Sequence, residues 1–145
     1  MTEPIKVELT VPSISDYVGV ARLTASGVAN RMKFTHEDIE DIKMAVSEAC
    51  TNAVQYAYGD NIGKVNLTFS IYDTYLEIQV RDQGLGFNIE TKKDPNAASD
   101  PEKIGLGLGI VFMKSLMDTV DYQSSEGNGT VVTMTKKVPV ARASL

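Results

Sequence analysis

The 145-residue sequence has little of the chemistry that most metal and redox sites need. It contains a single cysteine, Cys50, and a single histidine, His36. These counts exclude an intramolecular disulfide, a zinc site built from cysteine and histidine, and any catalytic triad that needs more than one histidine. We expect Cys50 to serve in packing rather than as a redox switch.

Long apolar runs and a basic surface are also missing. No apolar stretch approaches the roughly 20 residues of a membrane span, and the N-terminus lacks the basic flank and apolar run of a signal peptide. The 14 Lys and Arg residues are outnumbered by 19 Asp and Glu, which gives a net charge of −5. Because phosphate groups attract positive surfaces, we expect a protein that binds neither nucleic acid nor membrane. The missing signal peptide and membrane span lead us to expect a cytoplasmic protein.

The composition that remains is typical of one soluble globular domain. Hydrophobic residues make up 43% of the chain and charged residues 23%, a mixture that supports a packed core rather than disorder. We find no internal repeat and no linker. We therefore expect a single domain over residues 1–145.

Hydrophobic periodicity predicts the element order β-α-α-β-β-loop-α-β-β. Alternating residues predict five strands, over residues 5–11, 66–71, 76–81, 119–124 and 130–137. Apolar residues spaced by three and four predict three helices, over about 17–32, 35–58 and 106–117. Ser13 or Ser15 can cap the first helix, and the segment from Thr35 to Asp38 resembles a capping box.

The connections predict the fold class. The polar stretch from Gln83 to about Lys103 predicts a long loop, of the kind that forms lids and binding loops. Short turns join most neighbouring strands, so we expect a mixed, largely antiparallel sheet with three helices on one face. This is an α+β fold, a two-layer α/β sandwich.

Three features could carry chemistry, and the first lies on the second helix. Glu48 and Asn52 are four residues apart and therefore share one helical face, away from the apolar stripe. A solvated helix face is the structural interpretation. In the functional interpretation, Glu48 accepts a proton and Asn52 is an oxygen ligand for a hard cation such as Mg²⁺.

The other two features are rich in glycine. Asp82 ends a strand and is followed by Gly84 and Gly86, which form either a simple turn or a place where backbone approaches a ligand closely. Gly105, Gly107 and Gly109 open the third helix. They form either a flexible hinge or an anion site that uses the free N–H groups at a helix N-terminus.

In this order, the features resemble the N, G1 and G2 boxes of the Bergerat-fold (GHKL) ATP-binding superfamily. The pair Gly129-Thr130 on the last hairpin is similar to its threonine-bearing nucleotide motif. The residues that carry the resemblance are Asn52, Asp82, Gly84, Gly86, Gly105, Gly107, Gly109 and Thr130. The resemblance implies a two-layer sandwich with a long ATP lid.

A closer resemblance extends over nearly the whole chain. Three segments, 46–54, 17–24 and 115–118, resemble bacterial anti-sigma factor serine-protein kinases, nearest the RsbW type that regulates the general stress sigma factor. The resemblance implies a homodimer that holds an alternative sigma factor inactive. It also implies phosphorylation of an anti-anti-sigma protein on serine or threonine, with ATP and Mg²⁺ as cofactors.

The same resemblance implies roles for single residues. Asp82 would read the adenine amino group with support from Thr130, and Asn52 would ligate Mg²⁺. Glu48 would act as the base on the incoming hydroxyl. The nucleotide-binding glycines of the third helix would let the backbone surround the phosphates. Arg22 matches a position that binds both protein partners in a relative from the same family that acts in sporulation.

One departure from that relative leaves a role open. The relative has an arginine where this sequence has Gly105, so the cation that stabilises the phosphates is Lys92, Lys93, Lys103 or none of them. A non-catalytic ATP-binding anti-sigma module and a related switch kinase of the same cascade are the alternative functions. Glu48 argues against the first alternative, because nucleotide binding alone needs no base.

Overall fold

The computed structural model describes residues 3–84, 101–125 and 127–139, without the side chains of residues 101–104 and 106. The described strands are β1 (Ile5–Pro12), β2 (Lys64–Ile71), β3 (Tyr75–Asp82), β4 (Thr119–Ser125) and β5 (Gly129–Lys137). The α-helices of this part of the chain are α1 (Val18–Asn30), α2 (His36–Tyr56) and α3 (Pro101–Leu116), and a 3₁₀ turn, Ser15–Tyr17, precedes α1. The predicted order of strands and helices is confirmed, whereas most of the predicted loop lies outside the described residues.

The strands form one sheet in the order β1-β2-β3-β5-β4, and every pairing among the described residues is antiparallel. The prediction of a mixed sheet is therefore wrong in detail. The helix α3 does connect two strands of the same direction, β3 and β4. However, β5 returns between them, so that no two parallel strands are neighbours.

One face of the sheet forms the core. Alternating residues of the central strands are buried there, with Phe69, Ile78 and Met134 fully enclosed. On this side α1 contacts β1 and β2, α2 contacts β3 and β5, and α3 contacts β4. The predicted two-layer α+β sandwich is confirmed, with α2 between the other two helices.

The predicted N-terminal cap is confirmed for α2 and is wrong for α1. Thr35 caps α2 as predicted: its Oγ1 accepts a hydrogen bond from Asp38 N (2.9 Å), and its N–H donates to Asp38 Oδ2 (3.2 Å). The prediction that Ser13 or Ser15 caps the first helix is wrong, because the 3₁₀ turn leads directly into α1 without a side-chain cap. Ser13 Oγ instead accepts from Gly63 N (2.8 Å).

The third helix begins earlier than predicted. It starts at Pro101, within the stretch that was predicted to be a loop. Proline is favourable in the first turn of a helix, where its missing N–H is not needed. Gly105, Gly107 and Gly109 therefore lie within α3 and do not open it. This corrects the prediction that they form a free helix N-terminus.

Two further predictions concern burial and the membrane. Cys50 is 1% exposed, and burial raises the pKa of its thiol to about 12, which confirms a packing role. Among the helices of the described ranges, none combines the length and the apolar character that a bilayer crossing requires.

Candidate functional site

The centre of the candidate site lies where α3 crosses α2. A Cβ atom added at Gly109 would lie 2.4 Å from Glu48 Oε1 and 3.2 Å from Asn52 Nδ2. A side chain at position 109 would therefore displace the Glu48 carboxylate from its place beside Asn52. The structure thus brings together Glu48, Asn52 and Gly109, which the sequence analysis derived from two separate motifs.

Asn52 carries a buried amide with an unmet hydrogen-bond requirement. The residue is 5% exposed, and its Nδ2 has no hydrogen-bond partner within the described part of the chain. A buried polar atom in this condition costs free energy unless a ligand satisfies it. No group of three or more histidine, cysteine or acidic residues that could hold a metal occurs among the described residues. A metal here would depend on Asn52 and on oxygens that a ligand brings.

Asp82 ends β3 as a buried carboxyl group. It is 6% exposed, and burial raises its pKa, while hydrogen bonds from the backbone N–H groups of Gly84 and Thr130 act in the opposite direction. Gly84 N donates to Asp82 Oδ1 at 3.0 Å. The carboxyl group is therefore fixed by backbone on two sides before any ligand arrives.

The last hairpin closes this end of the site. Thr130 lies opposite Asp82 in the β3–β5 ladder and is 7% exposed. The preceding Gly129 has a φ of +75°, and a Cβ atom there would lie 2.3 Å from the carbonyl oxygen of Asp82. Glycine is therefore required at position 129 both for its backbone conformation and for the close approach of the hairpin to β3.

Hydroxyl groups from β4 surround Thr130, and the sequence analysis missed them. Ser124 Oγ and Thr130 Oγ1 are 2.8 Å apart. Tyr122 also makes a hydrogen bond with Thr130, and burial raises the pKa of the Tyr122 phenol, with Asp82 and Tyr56 contributing. The alternation of β4 could have indicated this arrangement, since Tyr122 and Ser124 lie two residues apart and thus on the same face of the sheet as Thr130.

The glycines of the site differ in what surrounds them. A Cβ atom at Gly84 would lie 2.0 Å from the carbonyl oxygen of Ala57, and one at Gly105 would lie 3.1 Å from the Tyr56 hydroxyl. Gly107 lies between Gly105 and Gly109 in α3 and is half-buried. Gly86, Lys92 and Lys93 fall outside the described residues, and so does the side chain of Lys103.

Arg22 lies apart from this cluster. It is an exposed residue of α1, and it interacts electrostatically with Glu40 in the second turn of α2. The pKa of Glu40 is lowered mainly by Lys43, with smaller contributions from His36 and Arg22. Glu40 and Asn52 are about 18 Å apart along the helix axis. Arg22 therefore belongs to a different surface.

The sequence is similar to known proteins over most of its length. The profile of the family described as "Histidine kinase-like ATPase domain" matches residues 11–136. The chain is 47% identical over 137 residues to a protein from Bacillus velezensis named serine-protein kinase RsbW, an alignment that covers 90% of this chain and 84% of the relative. A protein of the same name from Bacillus mycoides is 42% identical over 141 residues, which are 92% of this chain and 85% of that relative.

Solved structures support the fold. The RsbU and RsbW domains of a Mycobacterium tuberculosis protein align with a TM-score of 0.67 at 19% identity, covering 91% of this chain and 31% of that one. A blue-light activated histidine kinase from Erythrobacter litoralis aligns with a TM-score of 0.58 at 21% identity, covering 90% of this chain and 43% of the other. The chain thus spans less than half the length of either structure, and the likeness concerns the fold.

Proposed function

The chain belongs to the RsbW family of serine-protein kinases, within the histidine kinase-like ATPase domains, and from this membership we propose its function. It is an ATP-dependent kinase that phosphorylates an anti-anti-sigma protein on serine or threonine, and it holds an alternative sigma factor inactive. The observation that supports this proposal most directly is the crossing of α2 and α3, where Glu48 and Asn52 lie together against Gly109.

Asp82 and Thr130 bind the base of the nucleotide in this proposal. A carboxylate accepts a hydrogen bond from an exocyclic amino group, and adenine carries such a group. The backbone N–H groups of Gly84 and Thr130 hold the Asp82 carboxyl in place, so that little ordering is needed on binding. Thr130 adds a hydroxyl group on the same side. Gly84 packs against the carbonyl oxygen of Ala57 and donates to the Asp82 carboxyl, and Gly86 is a further nucleotide-binding residue in this proposal.

Asn52 would hold Mg²⁺ together with phosphate oxygens of ATP. Magnesium prefers oxygen ligands, and at phosphate sites it commonly takes few of them from the protein. The side-chain oxygen of buried Asn52 would be the ligand, while its unpartnered Nδ2, which is a hydrogen-bond donor, would donate to a phosphate oxygen. When bound, the ion would neutralise negative charge on the phosphates. Gly105, Gly107 and Gly109 keep side chains away from the phosphate path, while Lys92, Lys93 and Lys103 are the candidates for a further cation.

Glu48 acts as the base for transfer. The hydroxyl oxygen of the acceptor residue forms a new bond to the γ-phosphorus, the bond from that phosphorus to the bridging oxygen breaks, and ADP leaves. The hydroxyl proton passes to the Glu48 carboxylate. Phosphoryl transfer requires mostly positioning and charge stabilisation from the protein, and the crossing at Gly109 holds Glu48 beside Asn52.

Arg22 belongs to the partner-binding surface in this proposal. Its exposed place on α1 leaves the guanidinium free to meet acidic groups of a sigma factor or an anti-anti-sigma protein. We also propose that the protein is a cytoplasmic homodimer, because both properties accompany the regulator family that the sequence resembles. Its net charge of −5 is consistent with a regulator that binds transcription proteins and does not itself bind DNA.

The experiment that tests this function is a labelled transfer reaction. The protein is incubated with Mg²⁺, ATP labelled on the γ-phosphate, and candidate small anti-anti-sigma proteins, and the modified residue is mapped. We expect label on one serine or threonine of one partner. Binding of ATP without transfer to any candidate would instead favour a non-catalytic anti-sigma module.

A further inference from the structure

Tyr58 follows the C-terminus of α2 and has a position that the site described above does not use. Its ring packs against Gly63: a Cβ atom added there would lie 2.2 Å from two ring carbons. The ring therefore occupies the space that a side chain at position 63 would need. Gly63 is itself tied to the end of β1 by Ser13, whose N–H donates to the Gly63 carbonyl at 2.9 Å.

The Tyr58 hydroxyl joins two strands where their ladder ends. Gln83 N donates to Tyr58 Oη at 2.8 Å, and Tyr58 Oη donates to the carbonyl oxygen of Lys64 at 2.5 Å. Val65 pairs with Asp82, so the register places Lys64 opposite Gln83. The hydroxyl thus stands between an N–H and a carbonyl that would otherwise face each other across β2 and β3. The spacing between these two backbone groups is thus bridged by one hydroxyl group.

This spacing occurs directly beside Asp82. Gln83 follows Asp82, and Gly84 N then donates to the Asp82 carboxyl. The carbonyl oxygen of Ala57, the residue before Tyr58, leaves no room for a side chain at Gly84. The end of α2 therefore holds both residues that follow Asp82. The same helix carries Glu48 and Asn52.

We propose that Tyr58 is a positioning residue that sets the place of the Asp82 carboxyl relative to Asn52, and through it the selectivity for adenine. This inference rests on the proposed function, in which Asp82 reads the base. Tyr58 has no contact with the nucleotide in this role. It acts through the backbone of Gln83 and Gly84.

The test is nucleotide affinity in Tyr58→Phe, which keeps the ring and removes both hydrogen bonds. ATP is compared with inosine triphosphate, which has a carbonyl group where adenine has its amino group. We expect the affinity for ATP to fall about tenfold, because two backbone groups lose their partner and Asp82 shifts. Inosine triphosphate should lose less, so the ratio of the two affinities falls. With a phosphorylation substrate, KM for ATP rises and kcat stays within about twofold.

Two further variants make the test specific. Tyr75→Phe is the matched control, since Tyr75 begins β3 at the opposite end of the sheet and stacks on Tyr72; its nucleotide affinities should not change. Gly63→Ala displaces the Tyr58 ring without removing the hydroxyl and should lower the same ratio. If Tyr58→Phe folds poorly, Gly63→Ala provides the measurement.

The outcomes separate this proposal from the function on which it rests. Failure of the unaltered protein to bind ATP contradicts the proposed function. Normal ATP binding with an unchanged ratio in Tyr58→Phe and Gly63→Ala overturns the role of Tyr58 alone. Equal losses for ATP and inosine triphosphate also overturn it, because they would indicate a general loosening of the fold.

Discussion

At the scale of single residues, the site is built from polar side chains that the fold buries. Asn52, Asp82 and Thr130 are all buried, although polar groups normally avoid such places. Each has a feature that suits a ligand: an unpartnered amide, a carboxyl group held by backbone, and a hydroxyl group in a chain of hydroxyls. Because burial of these polar groups costs free energy, we expect them to serve binding rather than stability.

Asp82→Asn is expected to weaken ATP binding at least tenfold and to leave the free energy of unfolding unchanged or higher. The carboxylate accepts a hydrogen bond that an amide accepts less strongly. Burial raises the pKa of Asp82 in the folded protein above its unfolded value. The ionised group therefore opposes folding at neutral pH, and asparagine removes this opposition. Nucleotide titration and thermal melting measure the two effects.

The same pKa shift predicts how ATP binding depends on pH. Only the ionised carboxyl accepts from the adenine amino group, so affinity should fall as the pH is lowered through the raised pKa of Asp82. Over the same pH range, protonation of Asp82 raises the free energy of unfolding, because the folded protein binds this proton more strongly than the unfolded chain does. Affinity in Asp82→Asn should lack this pH dependence, and an identical profile in both proteins would exclude Asp82 as the titrating group.

Glu48→Gln is expected to bind Mg·ATP normally and to transfer phosphate at least about 100-fold more slowly. The amide keeps the shape of the side chain but cannot accept the proton, and general bases contribute at least this factor. Glu8→Gln, an exposed change on β1, serves as the control. A transfer rate within a few-fold of the unaltered protein would show that Glu48 is not the base.

At the scale of elements, the contact between α2 and α3 determines the geometry of the site. Alanine normally stabilises a helix relative to glycine by about 0.5–1 kcal/mol. At Gly109 this gain is opposed by a clash with Glu48 and Asn52. We therefore expect glycine at position 109 to serve the geometry of the site, although glycine lowers the stability of the helix.

Gly109→Ala and Gly27→Ala form a matched pair that tests this view. Gly27 lies in α1 with nothing within 4 Å of an added Cβ atom, so Gly27→Ala should raise the free energy of unfolding by about 0.5–1 kcal/mol and leave kinase activity unchanged. Gly109→Ala should gain less stability than Gly27→Ala and should lose most of its activity, because the added methyl group displaces the Glu48 carboxylate. Chemical denaturation and the labelled transfer assay provide both readouts. Full activity in Gly109→Ala would mean that the crossing tolerates a side chain.

Local sequence signals predicted elements well wherever the deciding contact is local. The capping box at Thr35 involves residues three apart, and this prediction is confirmed. Ser13 failed as a cap because its partner is Gly63, fifty residues away. The role of Tyr58 could not be predicted for the same reason, since it depends on the register between β2 and β3 at the end of their ladder. The glycine motifs of α3 were found, but not their place inside the helix.

At the scale of the whole molecule, the structure separates two surfaces. The residues around Asp82 and Asn52 lie between α2, α3 and the sheet, whereas Arg22 lies on the outer side of α1 near Glu40. A nucleotide and a protein partner could thus be bound at the same time. Changes at one surface need not disturb the other.

Arg22→Ala is expected to weaken binding of the protein partners at least tenfold and to leave ATP affinity unchanged. Loss of a guanidinium removes charge-assisted hydrogen bonds to acidic partner groups, while the nucleotide residues keep their contacts. Arg31→Ala, an exposed change at the other end of α1, should affect neither. Partner pull-down beside a nucleotide titration distinguishes these results, and a change in nucleotide affinity alone would assign Arg22 to the other surface.

The strand order also has a consequence for folding kinetics. The hairpins β2–β3 and β4–β5 each join neighbours in sequence, whereas Asp82 and Thr130 meet across about 50 residues and only when the two hairpins dock. The proposed nucleotide site is thus completed by one of the two strand pairings that join distant parts of the chain. A ligand that recognises only the docked hairpins should slow unfolding and leave the refolding rate nearly unchanged. Bound ATP would then lengthen the lifetime of the native state without hastening its formation.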